Sequence, residues 1–179
     1  RLMFPKLKTK IIKIKVSIDS AKKITNLRKK NVITYMSRKL PQHSLHVVSF
    51  LKKHLPKEWS LKDLNNINEK EVYKNLCNSK IFLAFSNLEG LGLPPLEAAL
   101  TGNHVIGYTG EGGKDYWKRP IFTEIYSGDI RNFVKQVIKK TSEINLNKNQ
   151  RLNQYKKIVK EFSKKNEILH IKKFLKEIS

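Results

Sequence analysis

The residues best suited to chemistry in this chain lie in one stretch, 86–102: Ser86-Asn87-Leu88-Glu89-Gly90-Leu91-Gly92-Leu93-Pro94-Pro95-Leu96-Glu97-Ala98-Ala99-Leu100-Thr101-Gly102. A buried strand feeds a glycine-containing turn, and the turn feeds a helix opened by proline. Gly90 and Gly92 lack a Cβ, so the backbone can approach a ligand closely. The amides of Gly92 and Leu93 fall at or just before the predicted helix start. Free amides there, with the positive end of the helix dipole, favour a phosphate. Pro94 and Pro95 fix φ where no intrahelical donor is required. Glu97 is expected within the first helical turn, where a carboxylate can accept two hydrogen bonds from a vicinal diol such as a ribose. Glu89 stands at the strand end, where a sugar hydroxyl could meet it. Each carboxylate also has a plainer reading: Glu97 as a stabiliser of its own helix N-terminus, Glu89 as a solvated loop residue.

These groups need a scaffold. Strands are expected over residues 32–36, 59–64, 81–85, 105–107 and 121–125. Helices are expected to carry His46, Val47, Phe50, Leu51 and His54 before Pro56, to run from an Asn68 cap with Glu71 as its box partner to about Asn78, over 95–100, and over 129–140. Strands alternating with helices predict an α/β fold: a Rossmann-like parallel sheet flanked by helices. Right-handed crossovers then place the strand-to-helix loops at one edge, where such sheets bind ligands. Loops 37–39, 86–95 and 108–117 meet there. Upstream, Ile12, Ile14, Val16 and Ile18 alternate with Lys13, Lys15 and Ser17, which predicts a half-exposed strand near a sheet edge; residues 20–30 read as a charged helix or loop. The tail from Asn147 carries Leu152, Tyr155, Val159 and Phe162, then Ile171, Phe174 and Leu175, at helical spacing.

Residues 89–97 closely resemble the E-x7-E segment of retaining GT-B glycosyltransferases of the family-4 type, and Ala98, Ala99, Gly102, Val105 and Ile106 continue in register. The resemblance covers residues 32–117 well and the rest by general pattern. It implies that the chain is the C-terminal, donor-binding half of a GT-B fold. By matching position, Glu97 would hold the ribose hydroxyls of a nucleotide, Glu89 would touch the donor sugar near the reacting centre, and the amides of Leu91, Gly92 and Leu93 would bind phosphate or sugar oxygens. Arg38 and Lys39 would lie near the diphosphate, although they are adjacent here where the family separates them. Gly112 and Gly113 belong to the glycine loop that borders the donor sugar, and Asp115 falls where a Glu is more usual. Tyr116 and Trp117 read as core anchors. The nucleobase would lie against residues 61–67.

The implied activity is transfer of a sugar from a UDP-, GDP- or similar nucleotide sugar to a glycan or lipid-linked acceptor, with retention of configuration. The resemblance implies no cofactor and no metal, since in such enzymes a helix N-terminus and basic side chains neutralise the leaving diphosphate. His43, His46 and His54 read as packing residues, not ligands. The expected division is residues 1–30 as linker with an edge strand or helix, 31–145 as the nucleotide-sugar-binding domain, and 146–179 as helices packing on it or reaching an N-terminal acceptor domain outside this chain. The start at Arg1 without a Met reads as a piece of a longer protein, and such a fragment is expected to be inactive alone.

Charge offers a competing reading. The 179 residues carry 37 Lys and Arg against 15 Asp and Glu, a net charge of +22. Thirty-one of the basic residues are Lys and six are Arg, spread through most elements rather than gathered in a stripe. Specific nucleic-acid readout favours Arg forks, so a basic nucleic-acid-binding or interaction module is the alternative and nucleic acid is not the expected partner. A nucleotide-sugar epimerase of the same fold is another. An anionic membrane surface could attract the lysines. Cys77, the single cysteine, permits no intrachain disulfide and reads as a small core residue. Without a signal peptide or a long apolar run, a cytoplasmic location is expected, with the inner face of the membrane as a candidate site.

Overall fold

A computed structural model describes residues 14–18, 29–144 and 148–178. The elements are β1 (Lys30–Tyr35), α1 (Pro41–His54), β2 (Ser60–Asp63), α2 (Glu69–Asn78), β3 (Ser79–Glu89), α3 (Leu93–Leu100), β4 (His104–Glu111), a short 3-10 turn (Gly112–Asp115), β5 (Phe122–Glu124), α4 (Ile130–Glu143), α5 (Lys148–Glu161) and α6 (Lys164–Ile178). The five strands form one sheet in the order β2-β1-β3-β4-β5. Every neighbouring pair is parallel. The fold is α/β with a Rossmann-like parallel sheet flanked by helices, as the sequence pattern predicts.

Strand alternation sorts the core into two layers. Ile81, Leu83 and Phe85 of β3 join Ile33, Ile106 and Tyr108 beneath α1 and α4, which supply Val47, Leu51, Phe133 and Val137. Phe82 and Ala84 point the other way, with Val105 of β4, to Leu76 of α2, Leu96 and Ala99 of α3, Ile158 of α5 and Phe162 just after it. Each fully buried side chain of this size contributes about 1.5–3 kcal/mol relative to exposure, which is what holds helices on both faces. Asn68 caps α2 by accepting from the Glu71 amide at 2.9 Å, and Asp129 caps α4 by accepting from the Asn132 amide at 3.0 Å. Cys77 is buried.

Three expectations need correction. Residues 14–18 are not a strand of the sheet. The Ile18 amide donates to the Phe162 carbonyl (3.1 Å), the Ser17 hydroxyl to Glu167 (2.8 Å), and Lys15 pairs with Glu161. Alternation there reflects packing on the helical tail, while β2 and β5 are the sheet edges. Ile12, and the segment from 20 to 28, lie outside the described residues. On α1, the buried face is Ser44, Val47, Val48 and Leu51. His46, Phe50 and His54 are exposed, because they fall outside the i, i+3, i+4, i+7 stripe that Ser44, Val47, Val48 and Leu51 turn inward. In the tail, Tyr155, Val159 and Phe162 pack on the core as expected, joined by Ile158, whereas Leu152, Ile171 and Leu175 are exposed.

The ends of the central strands also differ. β3 runs on to Glu89 and β4 to Glu111, so much of the expected loop sequence is strand. The β3–α3 connection shrinks to residues 90–92, and α3 begins at Leu93. Glu97 is therefore the fifth residue of α3, beyond its first turn.

Candidate functional site

The carboxyl edge of the sheet collects the predicted residues through several local constraints. After β1, Ser37 donates its amide to the Asp63 carboxylate at 3.2 Å, and Asn65 donates its side-chain amide to the Ser37 hydroxyl. Ser44, on the first turn of α1, donates to the Ser37 and Pro41 carbonyls at 3.2 and 2.9 Å. The loop so clamped turns through Leu40 at φ 48°. Lys39 is thereby aimed at the end of β3, where its ammonium lies 3.0 Å from the Glu89 carboxylate. Arg38 diverges toward β2, donating to Asn65 at 3.4 Å. Only one of the two adjacent cations is brought to Glu89. Asn65 follows β2, within the stretch read as facing the nucleobase.

The turn before α3 is held from below. Gly92 has φ +73°, a conformation that side-chain-bearing residues rarely adopt, and it is the N-cap. The buried Tyr116 hydroxyl donates to the Gly92 carbonyl at 2.7 Å. Burial pushes the Tyr116 pKa well up, with the Glu89 charge adding to it, so the hydroxyl stays a donor. A Cβ on Gly112 would lie 1.9 Å from the Gly90 carbonyl oxygen, so the two glycine loops touch backbone to backbone. Gly113 is buried under the Trp117 ring. Gly90 itself faces open space. Tyr116 packs against Trp117, Phe122 and Phe162, in the core as the sequence suggests. Among the described residues, no carbonyl or side chain accepts from the amides of Leu91, Gly92 or Leu93.

The far end of α3 is fixed as firmly. Asn103 donates its side-chain amide to the Leu76 and Ala98 carbonyls at 2.7 and 3.1 Å, and accepts from the Ser79 hydroxyl at 2.8 Å. Because these partners are buried, leaving any unmade would cost about 1–3 kcal/mol. The network ties α3 to the starts of β3 and β4 and so sets the direction in which Glu97 projects.

Glu97 is the least comfortable carboxylate of the site. Burial raises its pKa first, and the neighbouring Glu69 carboxylate raises it further. Among the described residues, its carboxylate has no salt-bridge or hydrogen-bond partner; the Thr101 hydroxyl donates to its backbone carbonyl at 3.1 Å. A carboxylate serving to stabilise its own helix start would be lowered in pKa and would lie in the first turn; Glu97 does neither. In a chain of net charge +22, a half-buried acid with no paired cation among the described residues is an observation that helix stability does not explain.

A shallow depression of about 10 Å³ at this edge is lined by Met36, Lys39, Ser86, Glu89, Pro94 and Pro95, among others. It joins Lys39, Glu89 and the start of α3. Glu97 and Arg38 stand outside it, toward α2 and β2. No protein-family model matches the chain. Over 68 residues it is similar to a glycosyltransferase. The relative is an alpha-1,6-glucosyltransferase of Actinobacillus pleuropneumoniae serotype 7 (strain AP76), 32% identical across 38% of this chain and 17% of the relative. The chain therefore matches less than a fifth of that protein's length.

Sequence reasoning gives no role to Glu111, Lys114, Glu124 and Tyr126, at the ends of β4 and β5, although the first two lie in the glycine loop expected to border the donor sugar. Together with Ser86 and Asn87 they line a cleft of about 230 Å³ on the α4 side of the edge. The available signal was Glu124 and Tyr126 flanking the end of the last strand, just before Ser127 and Gly128. Among the described residues, no group of three or more His, Cys, Asp or Glu is placed to hold a metal ion, and no helix is long and apolar enough to cross a membrane.

Proposed function

We propose that this chain is the donor-binding part of a glycosyltransferase, the C-terminal half of a GT-B fold, and that it binds a nucleoside diphosphate sugar at the carboxyl edge of β1, β3 and β4. The observation that carries the reading is Glu97, a half-buried carboxylate raised in pKa and with no paired cation among the described residues, one helix turn from an amide-bearing glycine turn. A vicinal diol supplies two O–H donors, which such a carboxylate accepts. The similarity to a glucosyltransferase supports glycosyl transfer as the chemistry, and the resemblance of residues 89–97 to the E-x7-E segment supports retention of configuration.

In this arrangement, the free amides of Leu91, Gly92 and Leu93 and the Lys39 ammonium face the diphosphate. They stabilise the negative charge that develops on it as the bond to the sugar breaks. Glu89, now paired with Lys39, meets the donor sugar. No metal is required, because backbone donors and one ammonium supply the positive potential. The acceptor-binding domain would be contributed by sequence outside this chain.

Calorimetry of the chain with UDP, GDP and their glucose conjugates tests this. Binding of at least one nucleotide is expected at millimolar concentration, weakened by Glu97→Ala. Failure of all four to bind would sink the proposal.

A further inference from the structure

We propose that the cleft lined by Glu111, Lys114, Glu124 and Tyr126 is a second carbohydrate subsite, one that takes an uncharged sugar unit beside the donor position. Its volume is about 230 Å³, against about 10 Å³ for the depression beside Glu89, so it is the roomier of the two hollows at this edge. Tyr126 is 82% exposed, as is Leu88 on the β3 side. Exposed apolar residues standing singly need no explanation, but two on the walls of one polar cleft do. A pyranose has an apolar C–H face and a polar rim. Tyr126 can stack on the first, while Glu111 and Glu124 accept from hydroxyls of the second and Lys114 donates to a ring or hydroxyl oxygen.

Charge narrows the ligand. The lining has two carboxylates and one ammonium, a net −1 in a chain of net +22. Phosphate or carboxylate ligands would be repelled here, in a molecule that offers lysines almost everywhere else. Lys114 pairs with Glu111, its ammonium 2.8 and 2.9 Å from the two carboxylate oxygens, and both side chains are more than half exposed, so a donor and an acceptor stand together where a ligand can reach them. Glu111 also has φ +66° and ψ −58°. Strain of this kind at a residue with a side chain is concentrated at ligand sites.

Position gives the cleft its role. Glu89 and Glu111 are register partners in the β3–β4 ladder, about one strand spacing of 4.8 Å apart at the backbone. The ladder is irregular between Ser86 and Glu89, and such an irregularity re-aims side chains. Ser86 lines both the cleft and the depression beside Glu89. A sugar in the cleft therefore presents a hydroxyl next to a donor sugar at Glu89. Its oxygen forms the bond to the anomeric carbon while the bond from that carbon to the diphosphate oxygen breaks. The nucleoside diphosphate leaves with the electron pair and takes the hydroxyl proton. The role as acceptor subsite rests on the glycosyl-transfer reading; saccharide binding does not.

The test is an amide-shift titration of the chain with isomaltotriose, maltotriose and cellotriose at millimolar concentration, alongside UDP. At least one trisaccharide should shift Gly110, Glu111, Tyr126 and Ser127. Tyr126→Ala, at an exposed position that leaves the core intact, should weaken that binding at least about tenfold and leave UDP binding unchanged. Glu124→Gln should weaken it with the fold intact. UDP binding without any trisaccharide shift, or shifts that survive Tyr126→Ala at full strength, overturns the subsite and leaves the nucleotide site standing. Trisaccharide shifts without nucleotide binding support the subsite and sink the donor reading.

Discussion

On the α3 side of the β3 carboxyl end, the chain has closed on itself. Lys39 pairs with Glu89, Tyr116 holds the Gly92 carbonyl, Gly112 lies against Gly90, and about 10 Å³ remains. On the α4 side of the same strand end, Tyr126 and Leu88 stand in solvent around about 230 Å³. The first side is closely packed, with the Lys39–Glu89 pair and the Tyr116 bond fixing its turn; the second is concave, with one ion pair, Glu111 and Lys114, and two exposed side chains, Leu88 and Tyr126. The difference suggests a division of labour. A preorganised side suits a ligand whose charge must be met at the moment of reaction, since fixed dipoles then need no reorganisation. An open side suits a ligand gripped by shape and hydroxyl contacts, which gives weaker and more adaptable binding.

The closed side is broken most severely by Gly112→Ala. The new Cβ would lie 1.9 Å from a backbone oxygen, which cannot rotate away as a side chain could. A loss of about 3 kcal/mol in urea unfolding is expected, the upper end of typical overpacking. If Gly112→Ala unfolds like the parent, the loops are not held together as described. The open side should be indifferent to its own truncation: Tyr126→Ala is expected to leave the unfolding midpoint unchanged.

Glu97 separates binding from stability. Glu97→Ala should weaken nucleotide binding by about 2 kcal/mol, the value of a hydrogen bond to a charged group. Its effect on folding has the opposite sign. Because its folded pKa is raised, the contribution of this carboxyl to stability is complete below the ordinary value of 4.5 and is lost as pH rises through the folded value. At neutral pH the carboxylate is therefore a cost, and Glu97→Gln should raise the melting temperature at pH 7 with the gain disappearing below about pH 4.5. A lower melting temperature at pH 7 would mean that Glu97 has a structural partner. Tyr116→Phe should then cost about 1 kcal/mol of stability for the hydrogen bond to Gly92, with a smaller loss of nucleotide affinity through the loosened turn.

Much of this edge is legible in sequence because the signals are local. Short continuous apolar runs place β1, β3 and β4, Asn68 and Asp129 announce their helices, and the pair Gly92 and Pro94 marks the entry to α3. What is not legible depends on contacts across the fold. The strands run past their apolar cores to Glu89 and Glu111 because ladder partners extend them, not because their residues favour strand. Alternation at Ile14, Val16 and Ile18 reads as a strand, yet the segment finds its partners in the helical tail. The divergence of Arg38 and Lys39 follows from the turn at Leu40, and the cleft brings together residues from β3, β4 and the segment after β5 that no spacing relates.

The smallest effect expected is also the one that tests how the closed side opens. Lys39 and Glu89 are 3.0 Å apart but only partly shielded, at 42% and 19% side-chain exposure. A double-mutant cycle between them should give below about 1 kcal/mol of coupling in stability, decreasing with salt. Such a pair can be exchanged for a better partner, and a diphosphate carries more charge than one carboxylate. Glu89→Gln should then tighten UDP binding slightly, because Lys39 is released and a negative charge near the diphosphate is removed. The same substitution should weaken binding of a UDP-sugar relative to UDP, because the acceptor for a sugar hydroxyl is lost. Calorimetry with the two ligands side by side reads the crossover. If Glu89→Gln weakens both equally, the ion pair positions Lys39 for the phosphates instead of competing with them.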